Sequence, residues 1–386
     1  MKRLQRVWHL PRALGFCALV LIPGLFPAIS QAEEGVSEST ILIGQTVGLT
    51  GQIAGPVKEM NAGAAAYISQ VNKAGGINGR KIELRILDDQ FDPAIAAANA
   101  ETLIKKEHVF ALFQSRGTPH TQAILPILAA NKIPLIAPST GAAVFHAPVN
   151  RYLFNVRAKY QDEVKKAVEQ FSTIGLKDIG IVHVDDTFGG DGLAGFTAAM
   201  GNFKLQASIV AKYDRAKPDV AKAVDDVMKS PAKALVIVGS ATTVSEIIRG
   251  LRGKGSSIQI MTLSNNASQS FIESLGPAAT GIMVSQIMPA PHLVSSILGQ
   301  EFKAIAKEHG VTASYAAMEG FVSAKVLVEG LRRSGKALTR EGLVRALESM
   351  HKVDLGGVTV TYSERDHSGS EFVELTMIGR DGKFVR

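Results

Sequence analysis

Two short clusters of hydroxyl-bearing and glycine residues have the chemistry to bind a small anion. They follow the apolar runs 109–113 and 133–137, and their members are Ser115, Arg116, Gly117 and Thr118, then Ser139, Thr140 and Gly141. Hydroxyl groups donate hydrogen bonds to a carboxylate, and the free N–H groups at a helix N-terminus favour negative charge. The residues alone fit a structural role equally well, because Ser and Thr commonly cap helices.

Arg116 is the only charged residue of the two clusters. A guanidinium that faces a binding cleft pairs with a carboxylate through two parallel hydrogen bonds. The alternative is a solvated charge at the rim of the cleft, and the sequence leaves both open.

Strands and helices alternate around these clusters with short connections. Strand-like runs at 82–87, 109–113 and 133–137 are separated by helical runs at 94–106 and 118–131. Asp92–Pro93 is typical of a helix start, with Asp as the N-cap and Pro in the first turn. The alternation predicts an α/β fold with a doubly wound, mostly parallel sheet. Ligands of such sheets bind at the carboxyl ends of the strands, where both clusters lie.

The same alternation restarts after Lys159 and predicts a second lobe. Strand-like runs at 178–184, 234–238 and 258–263 each end in a polar or glycine-containing loop. These loops carry Phe188, Ser240 and Asn265. All three residues are candidates for the ligand site.

The first lobe resembles a known family. The segments NKAGGINGRKIEL, DDQFDP and SRGTPHTQAILPILAANKIPLIAPSTGA resemble type I periplasmic substrate-binding proteins, in particular the leucine/isoleucine/valine-receptor branch. The resemblance extends from about Thr40 to the C-terminus and is looser after Asp191. It implies two doubly wound lobes joined by hinge crossovers, with residues 33–155 plus 287–358 in lobe 1 and 156–286 plus 359–386 in lobe 2.

The resemblance also implies a carboxylate site at Ser115, Thr118, Ser139 and Thr140, because matching positions in the family hold an amino-acid carboxylate. Three departures from the family pattern weaken the assignment of a branched-chain amino acid as the ligand, but not the fold.

Phe188 stands where a tyrosine is usual, so its ring can cover a ligand but cannot donate a hydrogen bond. Asn265 stands in the loop that often supplies an acid for the ligand's ammonium, and Arg116 replaces a small or hydroxyl residue. A neutral amide does not offset a buried ammonium as a carboxylate does. Glu319 and Asp186 remain as alternative partners that no motif places.

The N-terminus is typical of a secretory signal peptide. Four basic residues precede an apolar run from 13 to 29, and Ser30-Gln31-Ala32 offers a cleavage site. We expect cleavage of residues 1–32 and a periplasmic protein; the alternative is a membrane anchor. Phe16 before the sole cysteine, Cys17, argues against lipidation.

Removal of the four basic residues of the signal leaves a net charge of +3 (7 − 4) on the mature chain. That charge gives no case for nucleic acid as a partner.

The sequence offers little support for catalysis. It contains no HExxH, P-loop or GxSxG motif, and its nine histidines show no metal-ligand spacing. We expect no catalytic residue, metal or cofactor. The resemblance implies a monomeric receptor that carries a small organic ligand to the membrane permease of an ABC transporter. A ligand sensor for a membrane signalling partner is the alternative, and the sequence does not name the ligand.

Overall fold

The structure, a computed structural model, describes residues 1–2, 4–5, 7–8 and 33–386. The predicted cleavage site, the apolar run before it and Cys17 lie outside the described residues. Residues 33–386 form one compact unit.

Helices and strands alternate through this unit. The helices are α1 (Ala54–Lys73), α2 (Pro93–Lys105), α3 (Thr118–Asn131), α4 (Tyr160–Thr173), α5 (Thr187–Asn202), α6 (Val220–Lys229), α7 (Ala241–Gly253), α8 (Gln269–Leu275), α9 (Ile297–His309), α10 (Tyr315–Arg333) and α11 (Arg340–Glu348). The strands are β1 (Thr40–Val47), β2 (Lys81–Asp88), β3 (Ala111–Phe113), β4 (Leu135–Ile136), β5 (Leu153–Phe154), β6 (Ile179–Val184), β7 (Ile209–Tyr213), β8 (Ala234–Val238), β9 (Gln259–Thr262), β10 (Met283–Gln286), β11 (Val353–Asp354), β12 (Thr359–Ser363), β13 (Asp366–Gly369), β14 (Glu374–Ile378) and β15 (Phe384–Val385).

The first sheet is entirely parallel, with the strand order β2-β1-β3-β4-β5. Strands β3 and β4 are buried throughout, as expected for parallel strands covered on both faces. The second sheet has the order β15-β14-β10-β9-β8-β6-β7, and only β14 and β15 run antiparallel to their neighbours. The predicted α/β fold with two mostly parallel sheets is confirmed.

Local signals set several boundaries that the sequence predicts. The Asp92 carboxylate accepts hydrogen bonds from the N–H groups of Ala94 and Ile95, which makes it the N-cap of α2. Gly75 and Gly76 both have positive φ angles where α1 ends, a conformation that glycine adopts without strain. The predicted helix over 118–131 matches α3 at both ends.

The strands of the C-terminal tail, residues 359–386, divide between two sheets, which the sequence prediction misses. The expected lobe 2 includes 359–386, whereas β12 pairs with both β11 and β13 in a separate three-stranded antiparallel sheet. Tyr362 is buried with the core of the first lobe, and its hydroxyl donates to the carbonyl of Asn155 at 2.6 Å. Only β14 and β15 join the second sheet. We propose that the last crossing between lobes falls near Ser370 rather than at 359.

Close contact between α1 and α10 fixes one wall of the first lobe. A Cβ atom added to Gly63 would lie 1.9 Å from the carbonyl oxygen of Ala317, and one added to Gly320 would lie 1.9 Å from that of Met60. These two glycines therefore allow the helix backbones to touch. Because α10 carries Glu319, this packing also positions that carboxylate.

Candidate ligand-binding site

A cavity lies where the carboxyl ends of strands from both sheets face each other. Its lining residues are Ile53, Phe91, Arg116, Gly117, Thr118 and Ser139 from the first lobe and Tyr160, Phe188, Arg215, Ser240 and Asn265 from the second. Each of them follows a parallel strand in the chain, and Tyr160 does so at the start of α4, after β5. The cavity measures about 30 Å³, roughly the volume of one water molecule.

The two clusters noted in the sequence lie side by side at this edge. An isolated parallel bridge between Arg116 and Ser139 continues the pairing of β3 with β4. Gly117 has a φ of 98°, and a Cβ atom there would meet Nδ1 of His120 at 2.6 Å. Glycine is therefore required at this turn, and it starts α3 with Thr118 facing the cavity.

The guanidinium of Arg116 spans the cleft. It donates to the backbone oxygen of Asn265 in the second lobe at 2.8 Å and to Oγ of Ser139 at 3.2 Å, and it contacts Sδ of Met60 at 3.7 Å. Arg116 is only 5% exposed. Burial lowers its pKa below the ordinary value, although nearby Glu319 opposes the change. No carboxylate of the described residues lies within 4 Å of this guanidinium.

A second buried arginine lies beneath the cleft and pairs with two acids through its terminal nitrogens. Arg157 contacts Glu163 at 3.0 Å and Glu319 at 3.4 Å, and all three side chains are at least nine-tenths buried. Glu163 also accepts from the N–H of Ser264 at 2.9 Å, and Glu319 accepts from Oγ of Ser139 at 2.9 Å. The two acids are thus held by hydrogen bonds as well as by charge, which offsets the cost of their burial.

Seven of the ten predicted site residues line the cavity: Arg116, Gly117, Thr118, Ser139, Phe188, Ser240 and Asn265. The other three lie behind that lining. Ser115 Oγ is 2.9 Å from Oγ1 of Thr121, and Thr140 Oγ1 is 2.8 Å from Oγ1 of Thr118. A Cβ atom on Gly141 would meet the carbonyl of Ala158 at 2.5 Å, so this glycine allows close backbone packing. The expectation that Ser115, Thr140 and Gly141 face the cavity is corrected accordingly.

The alternative acids at the cleft are engaged elsewhere. Asp186 caps α5 through the N–H groups of Phe188 and Gly189, and it pairs with Arg215. Glu319 is held by Ser139 and Arg157. The side chain of Asn265 turns toward the second lobe, where Nδ2 donates to the carbonyl of Gly239 at 2.9 Å.

Sequence reasoning missed four lining residues: Ile53, Phe91, Tyr160 and Arg215. Rings form much of the wall, because Tyr160 and Phe188 lie 4.7 Å apart and the Arg215 guanidinium lies 4.9 Å above the ring of Phe91. Position after a predicted strand is a signal shared by Ile53, Phe91 and Arg215. Tyr160 follows β5, a strand of two residues that the sequence does not predict.

Further polar contacts join the lobes at the rim. The Gln52 side chain donates to the carbonyl of Arg215 at 3.3 Å and accepts from Oγ of Ser240 at 2.8 Å. The Glu59 carboxylate on α1 accepts from the N–H groups of Gln269 at 2.9 Å and Ser270 at 2.8 Å, at the start of α8. A negative charge is favourable at a helix N-terminus, so these bonds stabilise contact between the lobes.

The part of the chain that the structure describes contains no group of three or more His, Cys, Asp or Glu residues placed to hold a metal ion. Within the same residues, every helix is too short or too polar to cross a membrane.

Two facing α/β lobes with a cavity at their strand ends define a ligand-binding protein of the two-lobed periplasmic type. The chain belongs to the Periplasmic binding protein family, whose model matches residues 40–383. The resemblance noted in the sequence is therefore confirmed.

Individual relatives agree with this assignment. The chain is 22% identical to the Leu/Ile/Val-binding protein homolog 3 of Brucella melitensis biotype 1, over 89% of this chain and 93% of that protein. A substrate-binding periplasmic protein from Ralstonia solanacearum is 30% identical, with a TM-score of 0.85 over 89% of this chain and 99% of that one. The branched-chain amino acid transporter substrate binding protein of Streptococcus pneumoniae, in complex with isoleucine, has a TM-score of 0.79 at 18% identity over 90% of this chain and 98% of that one. At that identity the likeness concerns the fold alone.

Proposed function

We propose that this chain is a periplasmic solute receptor, secreted by cleavage of residues 1–32. It binds a small carboxylate-bearing organic ligand, an amino acid or a related acid or amide, between its two lobes. It then delivers the ligand to the membrane permease of an ABC transporter. Family membership supports the receptor role, and the names of the relatives, a Leu/Ile/Val-binding protein homolog and a substrate-binding periplasmic protein, support binding of a small solute.

The observation that carries this proposal is the position of Arg116. Its guanidinium is buried at the meeting point of the lobes and faces a cavity lined by hydroxyl groups. A buried cation is costly unless an anion and hydrogen bonds compensate it. A ligand carboxylate at this point gives Arg116 a partner, with Thr118 as a hydroxyl donor beside it.

Ligand entry requires a change of conformation. A cavity of about 30 Å³ is far below the roughly 300 Å³ of ordinary small-molecule sites. The ligand therefore replaces the bond from Arg116 to Asn265 and enters while the lobes are apart. Closure by hinge motion then buries it, with contacts from both lobes.

Calorimetric titration of the mature chain tests the receptor role. The panel contains amino acids, their deaminated acids, amides, sugars and polyamines. We expect at least one small carboxylate to bind stoichiometrically and sugars and polyamines to show no heat. Failure of every compound to bind contradicts the proposed function.

An uptake assay tests delivery to a permease. A strain that lacks this chain should lose uptake of the labelled ligand and recover it with the wild-type gene. Normal uptake without the chain contradicts a transport role and favours the sensor alternative.

A further inference from the structure

We propose that the ligand is an organic acid with an apolar body and no ammonium group, held at its carboxylate by Arg116 and Tyr160. This inference rests on the proposed receptor function and names its substrate class. It is carried by the charges that line the cavity, by the engagement of the nearby acids and by the rings of the wall.

The charged side chains that line the cavity are both arginines. Arg116 and Arg215 are among the eleven lining residues, and none of the eleven is an acid. Arg215 is paired with Asp186, whereas Arg116 has only neutral partners within hydrogen-bond distance. The unmatched charge that faces the ligand is therefore positive.

Every acid near the cleft already has cationic or N–H partners. Glu163 and Glu319 share the buried Arg157, and Asp186 holds Arg215 and the start of α5. The Asp191 carboxylate accepts from the N–H of Ala143 at 3.0 Å and from Nε2 of Gln161 at 2.9 Å. Asp191 Oδ2 has no hydrogen-bond partner, but none of these acids lines the cavity. An ammonium group bound in the cavity would therefore lose its water without gaining a carboxylate partner.

Tyr160 provides a second donor for the carboxylate. Its ring lines the cavity and lies beneath the guanidinium of Arg157, 4.7 Å from the ring centroid. Its hydroxyl makes no hydrogen bond to another of the described residues. A phenol hydroxyl is a good donor to a carboxylate, and such charge-assisted bonds are stronger than neutral ones.

The remaining wall is apolar. Ile53 and Phe91 approach from the first lobe, and Phe188 approaches from the second, where its ring lies 4.7 Å from that of Tyr160. Phe91 stacks on His120 at 4.4 Å, which holds its ring in place. These side chains bury the apolar part of a ligand and offer it no hydrogen bond.

Matched ligand pairs test the inference by calorimetry at neutral pH. The pairs are 3-phenylpropionate with phenylalanine, and 4-methylpentanoate with leucine; each pair differs only in the ammonium group. We expect at least one of the two acids to bind about tenfold or more tightly than its amino acid, since an unpaired buried ammonium is costly. Tighter binding of the amino acids overturns the inference but leaves the receptor function standing.

Variants of Arg116 and Tyr160 add a second test. A general loss of structure would weaken binding of an acid and of its neutral amide alike, whereas loss of a carboxylate donor should weaken the acid more. The neutral probe is 3-phenylpropionamide. Arg116→Gln should weaken binding of 3-phenylpropionate about 30-fold or more and binding of the amide less than about threefold. Tyr160→Phe keeps the ring but removes the hydroxyl, and it should weaken binding of 3-phenylpropionate about tenfold. Arg151→Gln, a change at an exposed arginine paired with Glu341, is the matched control and should change neither affinity.

An unchanged ratio of acid to amide affinity in both donor variants overturns the inference. If neither acid binds the wild-type chain, the inference also fails. Titration with the wider panel of amino acids, deaminated acids, amides, sugars and polyamines then tests the receptor function separately.

Discussion

The guanidinium of Arg116 donates to the backbone oxygen of Asn265 across the cleft at 2.8 Å, although the two residues are 149 positions apart. This bond joins the carboxyl end of a first-lobe strand to that of a second-lobe strand. Arg116 thus fills part of the space between the lobes and bonds to both of them. A ligand that binds the guanidinium replaces this hydrogen bond between the lobes with its own contacts to both lobes. Ligand binding and closure are therefore coupled through Arg116.

Thr118 and Thr140 should contribute unequally to binding. Thr118 lines the cavity, and Thr140 supports it from behind at 2.8 Å. Thr118→Val removes the donor itself and should weaken binding of the acid ligand about tenfold or more. Thr140→Val should weaken that binding only about threefold. Calorimetric titration measures both. A larger loss for Thr140→Val contradicts the placement of Thr118 as the ligand contact.

Glu59 should favour the closed form. Its carboxylate accepts two N–H groups at the start of α8 only while the lobes touch. Glu59→Gln keeps an acceptor oxygen but loses the charge, so apparent ligand affinity should fall about five- to tenfold through a smaller closed population. Glu273→Gln, on the exposed side of α8, is the control and should have little effect. Equal affinities for wild type and Glu59→Gln would show that this contact has no role in closure.

Gly320 should tolerate no side chain. A Cβ atom there meets backbone of α1 at 1.9 Å, and overpacking of this kind typically costs about 1–3 kcal/mol or more. Gly320→Ala should therefore lower the free energy of unfolding measured in urea. Gly201→Ala adds a Cβ atom near the end of α5 with no atom within 4 Å, and it should raise that free energy by about 0.4–1 kcal/mol. Equal stability of the two variants contradicts the close helix contact.

Asp89 should make stability depend on pH. Burial raises the pKa of Asp89 to about 7, despite hydrogen bonds from Phe91 N–H and Thr46 that favour the charged form. The folded chain therefore keeps a proton that the unfolded chain releases above about pH 4. The contribution of Asp89 to stability falls as pH rises from about 4 to about 7 and is constant above that.

Comparison of Asp89→Asn with wild type isolates this effect. The stability of the variant relative to wild type should rise by up to about 4 kcal/mol between pH 4 and pH 8. Burial lowers the pKa values of His120 and His146 to about 4, which gives the opposite slope in both proteins and cancels in the difference. A difference that does not change with pH contradicts the raised pKa.

Cap and turn chemistry allowed much of the fold to be predicted. Asp92 and the Gly75–Gly76 pair act on their immediate neighbours, so sequence alone places the helix ends. The polar clusters could be predicted because strand carboxyl ends meet at one edge of a parallel sheet. The same reasoning failed for Ser115, Thr140 and Gly141, since it gives the edge of the sheet but not which side chains face the cavity.

Contacts between distant residues could not be predicted. Arg157 and Glu319 are 162 positions apart, and no local pattern indicates that they pair. The alternating tail predicts strands, but it does not say which sheet they join. The burial of Tyr362 against Asn155 decides that β12 stays with the first lobe, and this contact exists only in the folded chain.

Small-angle X-ray scattering of the mature chain, with and without a saturating acid identified by calorimetry, tests the central claim most directly. If the ligand bridges the two lobes at Arg116 and closes them, the radius of gyration should be smaller with the ligand than without it. The Arg116→Gln variant should show no such decrease at the same ligand concentration. An unchanged radius of gyration in the saturated wild-type chain would contradict closure of the lobes around the ligand.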